Sequence, residues 1–268
     1  MSISPNILVI DDEQVITDAV VKICSLENYS VETSLNVQTA TEKLSKKYYP
    51  IIVCDIMMHD GDGFQILEYL RNNHIDSALI MMTGYSTVEN AVNSLYQGAV
   101  DFIPKPFTVD ELLNSVYRAN KYQEIKNKQA LLSKQPMAQS LLYVTCPAKY
   151  LSLGYSSWMY QENDGSVLIG VCDLFLKTIE SVKEIEFLKT DEEIAQGVCC
   201  VVIASGDERT HKVLSPVSGR IIDVNHSLNL HTNIIEKDPY FEGWIYRVIP
   251  TDIEYETKHL IPYHSDRL

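Results

Sequence analysis

Asp11 and Asp12 close the first apolar run of the chain, Asp55 closes the third, Thr83 the fourth and Lys105-Pro106 the fifth. A lone Asp after a strand is ordinarily a turn residue or a helix cap. Four run ends carrying Asp-Asp, Asp, Thr and Lys together exceed what turn chemistry explains. Carboxylates gathered in one crevice raise one another's pKa unless a cation sits among them. An all-oxygen set of this kind suits Mg²⁺, which keeps several waters and takes one or two carboxylates plus a phosphate. With that charge shielded, a phosphoryl group can approach Asp55 in line while charge develops on its equatorial oxygens. Lys105 offers those oxygens a cation, and the Thr83 hydroxyl offers a hydrogen bond.

The elements that must bring these residues together are legible as a period. Short apolar runs at Ile7–Ile10, Tyr29–Thr33, Ile51–Cys54, Leu79–Met82 and Val100–Ile103 alternate with amphipathic stretches at Val15–Leu26, Thr39–Lys46, Phe64–Arg71 and Val88–Gln97. Strand and helix in strict alternation predict an α/β flavodoxin-like, doubly wound, five-stranded parallel sheet. Ligands of such sheets bind outside the carboxyl ends of the strands, where the run ends converge. Thr108 precedes Val109-Asp110-Glu111 and reads as the N-cap of a last helix. Ala119 to Gln139 are rich in Lys, Gln and Asn, with sparse hydrophobics and Pro136, and read as a linker over 123–139 rather than a helical extension. From Leu141 the pattern is mostly β: runs at Ser166–Val171, Val198–Ala204, Gly219–Val224 and Gly243–Val248 are separated by turn signals and broken by one helical insert, Asp173–Ser181.

Composition bounds the function. Of 268 residues, 46% are hydrophobic and 22% charged, ordinary values for a packed globular chain. The formal net charge is −14, and both halves share it: residues 1–140 carry 11 Lys+Arg against 17 Asp+Glu, the remainder 11 against 19. Nucleic acid is therefore not an expected partner, since phosphate neutralisation needs clustered Lys and Arg. The run Ile7–Ile10 ends at once in acids and is too short for a signal core or a membrane span, so a cytoplasmic location with no membrane contact is expected. There the six cysteines stay reduced; lacking CxxC pairs, they read as structural thiols, with Cys199 and Cys200 on opposite faces of a strand. No GxxxxGK[ST] loop occurs, and the chain does not read as an enzyme.

Ile10-Asp11-Asp12-Glu13, Cys54-Asp55-Ile56-Met57-Met58, Met82-Thr83-Gly84-Tyr85 and Asp101-Phe102-Ile103-Pro104-Lys105-Pro106-Phe107 resemble two-component receiver domains. The stretch Thr83–Phe107 is most similar to receivers of the nitrogen-regulator class. The resemblance covers ~120 residues, here taken as 1–122. It implies phosphorylation of Asp55 by a sensor histidine kinase, with Mg²⁺ held by Asp11 or Asp12, Asp55 and the Met57 backbone carbonyl. It further implies a cis Lys105-Pro106 bond that aims the ammonium, and a switch in which Thr83 moves toward the phosphoryl group while Phe102 fills the vacated space. It leaves room for a dimer on phosphorylation. One departure stands out: His59 occupies a loop position where the family usually has Pro, and is read as a solvated histidine.

The second half, residues 140–268, has its own resemblance. Gly154-Tyr155-Ser156-Ser157-Trp158, Asp164 through Asp173, Ser215-Pro216-Val217-Ser218-Gly219 and Asp238-Pro239-Tyr240-Phe241-Glu242-Gly243-Trp244 are similar to the H protein of the glycine cleavage system. This implies a mostly β lipoyl-type barrel-sandwich domain with added helices. That family carries its lipoyl lysine on a hairpin tip eight residues before the Pro of the Pro-Val-Ser-Gly turn, a position filled here by Glu208. Lys212 stands four residues late, on the descending strand, and Lys183, in Glu180-Ser181-Val182-Lys183, lies 33 residues before Pro216. No lipoate is therefore expected. Asp207 and Glu208 leave the tip either as solvated acids or as an acidic docking element. His211, His226 and His231 lack Cys and carboxylate partners at metal-like spacing and read as surface or structural histidines.

The favoured reading is a phosphorylation-controlled regulator whose second domain binds a protein, its identity open. The alternative is a phosphorylation-gated carrier in glycine cleavage or lipoate metabolism, which the missing tip lysine disfavours. A transcription regulator is disfavoured by the acidic charge and the lack of a helix-turn-helix pattern.

Overall fold

The computed structural model describes residues 6–84, 87–132 and 142–262, which form two compact units. Of the described residues, the first unit comprises 6–84, 87 and 97–128, and the second 88–96, 129–132 and 142–262.

In chain order the N-terminal elements are β1 (Asn6–Ile10), α1 (Gln14–Leu26), β2 (Ser30–Ser34), α2 (Val37–Leu44), β3 (Ile51–Asp55), α3 (Phe64–Asn72), β4 (Ala78–Thr83), α4 (Val88–Tyr96), β5 (Asp101–Pro104) and α5 (Val109–Leu132). A two-residue ladder, Met57–Met58 against Gly61–Asp62, sits between β3 and α3. The five strands form one parallel sheet in the order β2-β1-β3-β4-β5. Ile7, Leu8, Val9 and Ile10 are completely buried, as are Ile51 to Cys54, so both faces of the central strands are covered. That is why these strands read as unbroken apolar runs rather than alternations. The order reverses between β1 and β3, which places the ends of those two strands beside one crevice.

Local signals set the helices. Asn36 accepts a hydrogen bond from the Thr39 amide at 2.7 Å and starts α2. Thr108 accepts from the Glu111 amide at 3.2 Å while the Glu111 carboxylate takes the Thr108 amide at 2.9 Å, a reciprocal cap on α5. The helix then continues through Leu132, ten residues into the segment 123–139 expected as a linker. The correction has a plain cause. Apart from Ile125 and Asn127, residues 123–132 are Gln, Glu, Lys, Ala and Leu, all strong helix formers, and neither Gly nor Pro interrupts them. The rest of that segment lies outside the described residues.

The second unit is two antiparallel sheets. Its main strands are β6 (Leu151–Leu153), β7 (Ser157–Gln161), β8 (Val167–Val171), β9 (Val182–Phe187), β10 (Cys199–Ser205), β11 (Thr210–Leu214), β12 (Gly219–Val224) and β13 (Trp244–Pro250), with α6 (Asp173–Thr178) after β8. A seven-stranded sheet runs Glu193–Ile194, β12, β13, β8, β7, β6, Ile261–Pro262; a three-stranded sheet runs β9, β10, β11. Trp158 is fully buried, and its indole N–H donates to the carbonyls of Val171 at 3.0 Å and Pro239 at 3.1 Å. Gly170 lies against that ring, where a Cβ would come within 2.4 Å of the indole. The inserted helix is shorter than expected, and β9, which carries Lys183, was not legible as a strand.

Candidate functional site

The ends of β1, β3 and β5 bring the predicted residues to one point. Asp11 is fully buried and Asp55 nearly so. Ligand-capable oxygens of Asp11, Asp12 and Asp55 all lie within 4.8 Å of one another, making the cluster predicted from the run ends. The Lys105 ammonium sits 2.6 Å from Asp11 Oδ2 and 3.0 Å from Asp55 Oδ2, at the end of a cis Lys105-Pro106 peptide. Asp55 Oδ1 is buried with no hydrogen-bond partner. An anionic oxygen stranded in this way needs an electrophile or a cation, and Mg²⁺ fits the donor set.

The electrostatics follow from that packing. Burial pushes the Asp11 and Asp55 carboxyls above the usual carboxylate range, against the opposing pull of the ammonium. For Lys105 the balance falls the other way: burial disfavours its charge, but the two carboxylates together hold its pKa above the ordinary value. Asp12 behaves differently because it is near the surface. Burial is the largest single influence and raises it, yet the hydrogen bonds from His59 and the pull of its ring together leave it below the usual range. The His59 amide donates to Asp12 Oδ2 at 2.9 Å, the ring Nδ1 meets the same oxygen, and the Asp12 contact holds the imidazole above its ordinary pKa. The imidazole is 94% exposed, so it is a solvated histidine that nevertheless contacts the acid cluster.

Met57 follows Asp55 by two residues in the short ladder, and its backbone N–H supports the Asp55 carboxylate. Thr83 ends β4 fully buried, and its carbonyl accepts from the Lys105 amide at 2.8 Å. Phe102 is half-buried on β5, opposite Met81, against the core of the first unit. Sequence reasoning missed Gly63. Its amide donates to the Ile56 carbonyl at 2.8 Å, and a Cβ there would lie 2.2 Å from the Asp55 carbonyl oxygen. The Gly-Asp-Gly run at 61–63 was the available signal.

Residues 7–117 match the response regulator receiver domain family, and residues 148–265 match the glycine cleavage H-protein family. The first stretch is thus similar to receiver domains and the second to glycine cleavage H proteins. The regulatory protein AtoC of Escherichia coli is 32% identical to the chain over 46% of its length, and the nitrogen assimilation regulatory protein NtrX of Azorhizobium caulinodans is 32% identical over 42%. The chain spans only 27% and 26% of those two proteins. A crystal structure of a glycine cleavage system H protein from Mycobacterium marinum covers 39% of the chain and 86% of its own length, with 23% identity and a TM-score of 0.36.

In the H-protein domain the hairpin β10–β11 turns at residues 206–209. Glu208 stands exposed at that tip with φ of 65°, as the count from Pro216 predicts. Lys212 pairs with Val202 within β11, and Lys183 is on the neighbouring strand β9, where Val182 pairs with Ser205 at the foot of the turn, so neither lysine stands at the tip itself. The paired-acid docking idea loses one member. Asp207 accepts from the Ser205 hydroxyl and pairs with Arg209 at 3.1 Å, so it braces the turn rather than standing free. His211 is fully buried and meets the Ser205 hydroxyl at 3.0 Å, whereas His226 and His231 are exposed. Among the described residues no helix is long and apolar enough to cross a membrane.

Proposed function

We propose that the chain is a cytoplasmic response regulator: a receiver domain over 1–122, phosphorylated on Asp55 by a sensor histidine kinase, drives an output domain over 140–268 that binds another protein. The observation that carries the reading is the gathering of Asp11, Asp12 and Asp55 beside the Lys105 ammonium, with Asp55 Oδ1 buried and without a hydrogen-bond partner. Bound Mg²⁺, held by Asp11 or Asp12, Asp55 and the Met57 carbonyl, would neutralise the phosphoryl oxygens. Lys105 orients Asp55 through Oδ2 and leaves Oδ1 with its lone pairs open. Once Asp55 is modified, the ammonium and the Thr83 hydroxyl are the groups within the site that can bind the new oxygens. Movement of Thr83 toward them opens space that half-buried Phe102 can enter, which changes the face around β4 and β5. A dimer on phosphorylation fits the same scheme. The chain accepts a phosphoryl group; it is not proposed as an enzyme acting on other substrates, and neither nucleic acid nor membrane is a proposed partner.

Incubation with a small phosphodonor and Mg²⁺ should add one phosphoryl mass, and Asp55→Asn should abolish it; an unchanged labelling rate in the variant would sink the assignment. The output domain is proposed to work without lipoate, because residue 208 has no amine to acylate. Co-expression with a lipoate ligase should leave the intact mass unchanged. A lipoyl adduct on Lys212 or Lys183 would favour the carrier alternative instead.

A further inference from the structure

Two thiols of the H-protein domain lie side by side. Cys146 and Cys172 have their sulfurs 3.8 Å apart, although 26 positions separate them in the chain. Cys172 is buried and caps α6; Cys146 is partly exposed in residues 142–150, which hold neither helix nor strand. Both line a small, partly open crevice with Tyr143, Thr145, Tyr240 and Pro262. We propose that this pair is an oxidant-responsive site, in which a hydroperoxide converts the two thiols to a Cys146–Cys172 disulfide.

The environment gives the two sulfurs different roles. The Cys172 thiol, and after the opposing push of burial the Tyr240 hydroxyl, hold the Cys146 thiol below the ordinary cysteine range. Burial instead pushes Cys172 well up. Cys146, the more exposed of the two and the one whose ionisation is favoured, is thus the sulfur that meets the oxidant, and Cys172 resolves the product. The Cys146 sulfur attacks the outer peroxide oxygen, the O–O bond breaks, and an alcohol or water leaves with a proton. The sulfur is oxidised to sulfenic acid and the peroxide reduced. Cys172 then attacks that sulfur, the S–S bond forms, the S–O bond breaks, and water leaves carrying the Cys172 proton.

Closing from 3.8 Å to a bond requires about 1.8 Å of approach. The 142–150 segment can supply it, since no ladder fixes Cys146. The segment is already tethered nearby: the Tyr240 hydroxyl donates to the Val144 carbonyl at 2.8 Å and accepts from the Asp173 amide at 3.1 Å. The Val144 amide reaches Asp173 Oδ2 at 2.6 Å. A disulfide would turn this hydrogen-bonded clasp into a covalent one, tying the segment that leads into β6 to the start of α6. The other described thiols have no such partner. Cys24 and Cys54 are separately buried in the first unit, and Cys199 and Cys200 are neighbours on one strand.

The test uses the full chain, reduced and then treated with hydrogen peroxide. The expected product has lost the mass of two hydrogens, and its non-reducing peptide map joins Cys146 to Cys172. Cys172→Ser should instead leave a dimedone-reactive sulfenic acid on Cys146, and Cys146→Ser should give neither product. Near-ultraviolet dichroism of buried Trp158 reports whether each variant keeps its fold. If either variant fails to fold, the wild-type map decides alone. A map in which both residues remain thiols while Cys199 is oxidised would overturn the proposal. So would a dominant crosslink to any other cysteine.

Discussion

Replacing Lys105 with Ala removes the ammonium that lies between two buried carboxylates, and the cost can be sized from the distances. At an effective dielectric of about 20, unit charges at 2.6 and 3.0 Å attract by about 6 kcal/mol each before the desolvation of the ammonium is set against them. Deleting one partner of a buried ion pair typically costs about 3–5 kcal/mol, because the remaining charges stay buried and unpaired. The Lys105 side chain is only 9% exposed, so solvent screening removes little of this. We expect the receiver of Lys105→Ala to lose about 3–5 kcal/mol at neutral pH without metal. The sign with pH follows from Asp11 and Asp55, whose pKa values are already raised and rise further once the ammonium is gone. On acidification they take up protons and cease to repel, so the loss should shrink. Saturating Mg²⁺ should also shrink it, since the ion neutralises the same oxygens and no longer competes with the ammonium.

Both tryptophans lie in the second unit, so their fluorescence does not report the receiver. Hydrogen exchange at the Ile51–Asp55 amides under increasing urea isolates its unfolding. A loss below about 1 kcal/mol at neutral pH would place this pair with surface ion pairs and refute the buried-charge argument. An equal loss with and without Mg²⁺ would refute the claim that metal and ammonium serve the same oxygens.

Three further outcomes are expected. Gly63→Ala should destabilise the receiver by about 1–3 kcal/mol and slow phosphorylation, because the new methyl meets the Asp55 backbone, which has no rotamer with which to yield; unchanged urea midpoints and labelling rates would count against this. Mg²⁺ affinity should fall on acidification from above the unperturbed value of 3.8, since protons on the raised Asp11 and Asp55 must leave before the ion binds, and Asp12→Ala should lower affinity at every pH; calorimetric titration across pH reads both. Glu208→Lys should change stability by no more than about 0.5 kcal/mol, judged by the thermal transition of the Trp158 signal.

The acid cluster was legible because each of its parts terminates a strand, and a strand end is visible as the point where an apolar run stops. Five strands in a parallel sheet give five such stops, and the doubly wound order fixes which of them converge. Contacts made by loops were not legible. Nothing in the spacing says that His59 reaches Asp12 across 47 positions, or that Gly63 folds onto the Asp55 carbonyl. The α5 extension was misread for a related reason. Its later turns are carried by propensity more than by an apolar face, and a reading built on hydrophobic period passes over them. Cys146 and Cys172 each look like an isolated apolar thiol in sequence, and only the fold sets them together.

The two halves differ in how tightly function is bound to structure. In the receiver, Asp11, Asp55 and Lys105 are buried together, the ammonium offsetting two carboxylates that repel each other, so losing it destabilises the fold as well as the chemistry. At the H-protein hairpin the turn closes through the Ser205 and Arg209 backbones at 2.9 Å and is braced by Asp207 on Arg209. None of that involves the side chain of residue 208, which points into solvent from a left-handed turn position. A lysine there could be replaced at little cost to the fold, while Trp158, Gly170 and the paired sheets keep the scaffold intact. Loss of the carrier residue and survival of the domain are therefore compatible on energetic grounds. What a scaffold of this kind still offers without an acylated arm is surface, which is why protein binding is the output proposed for it.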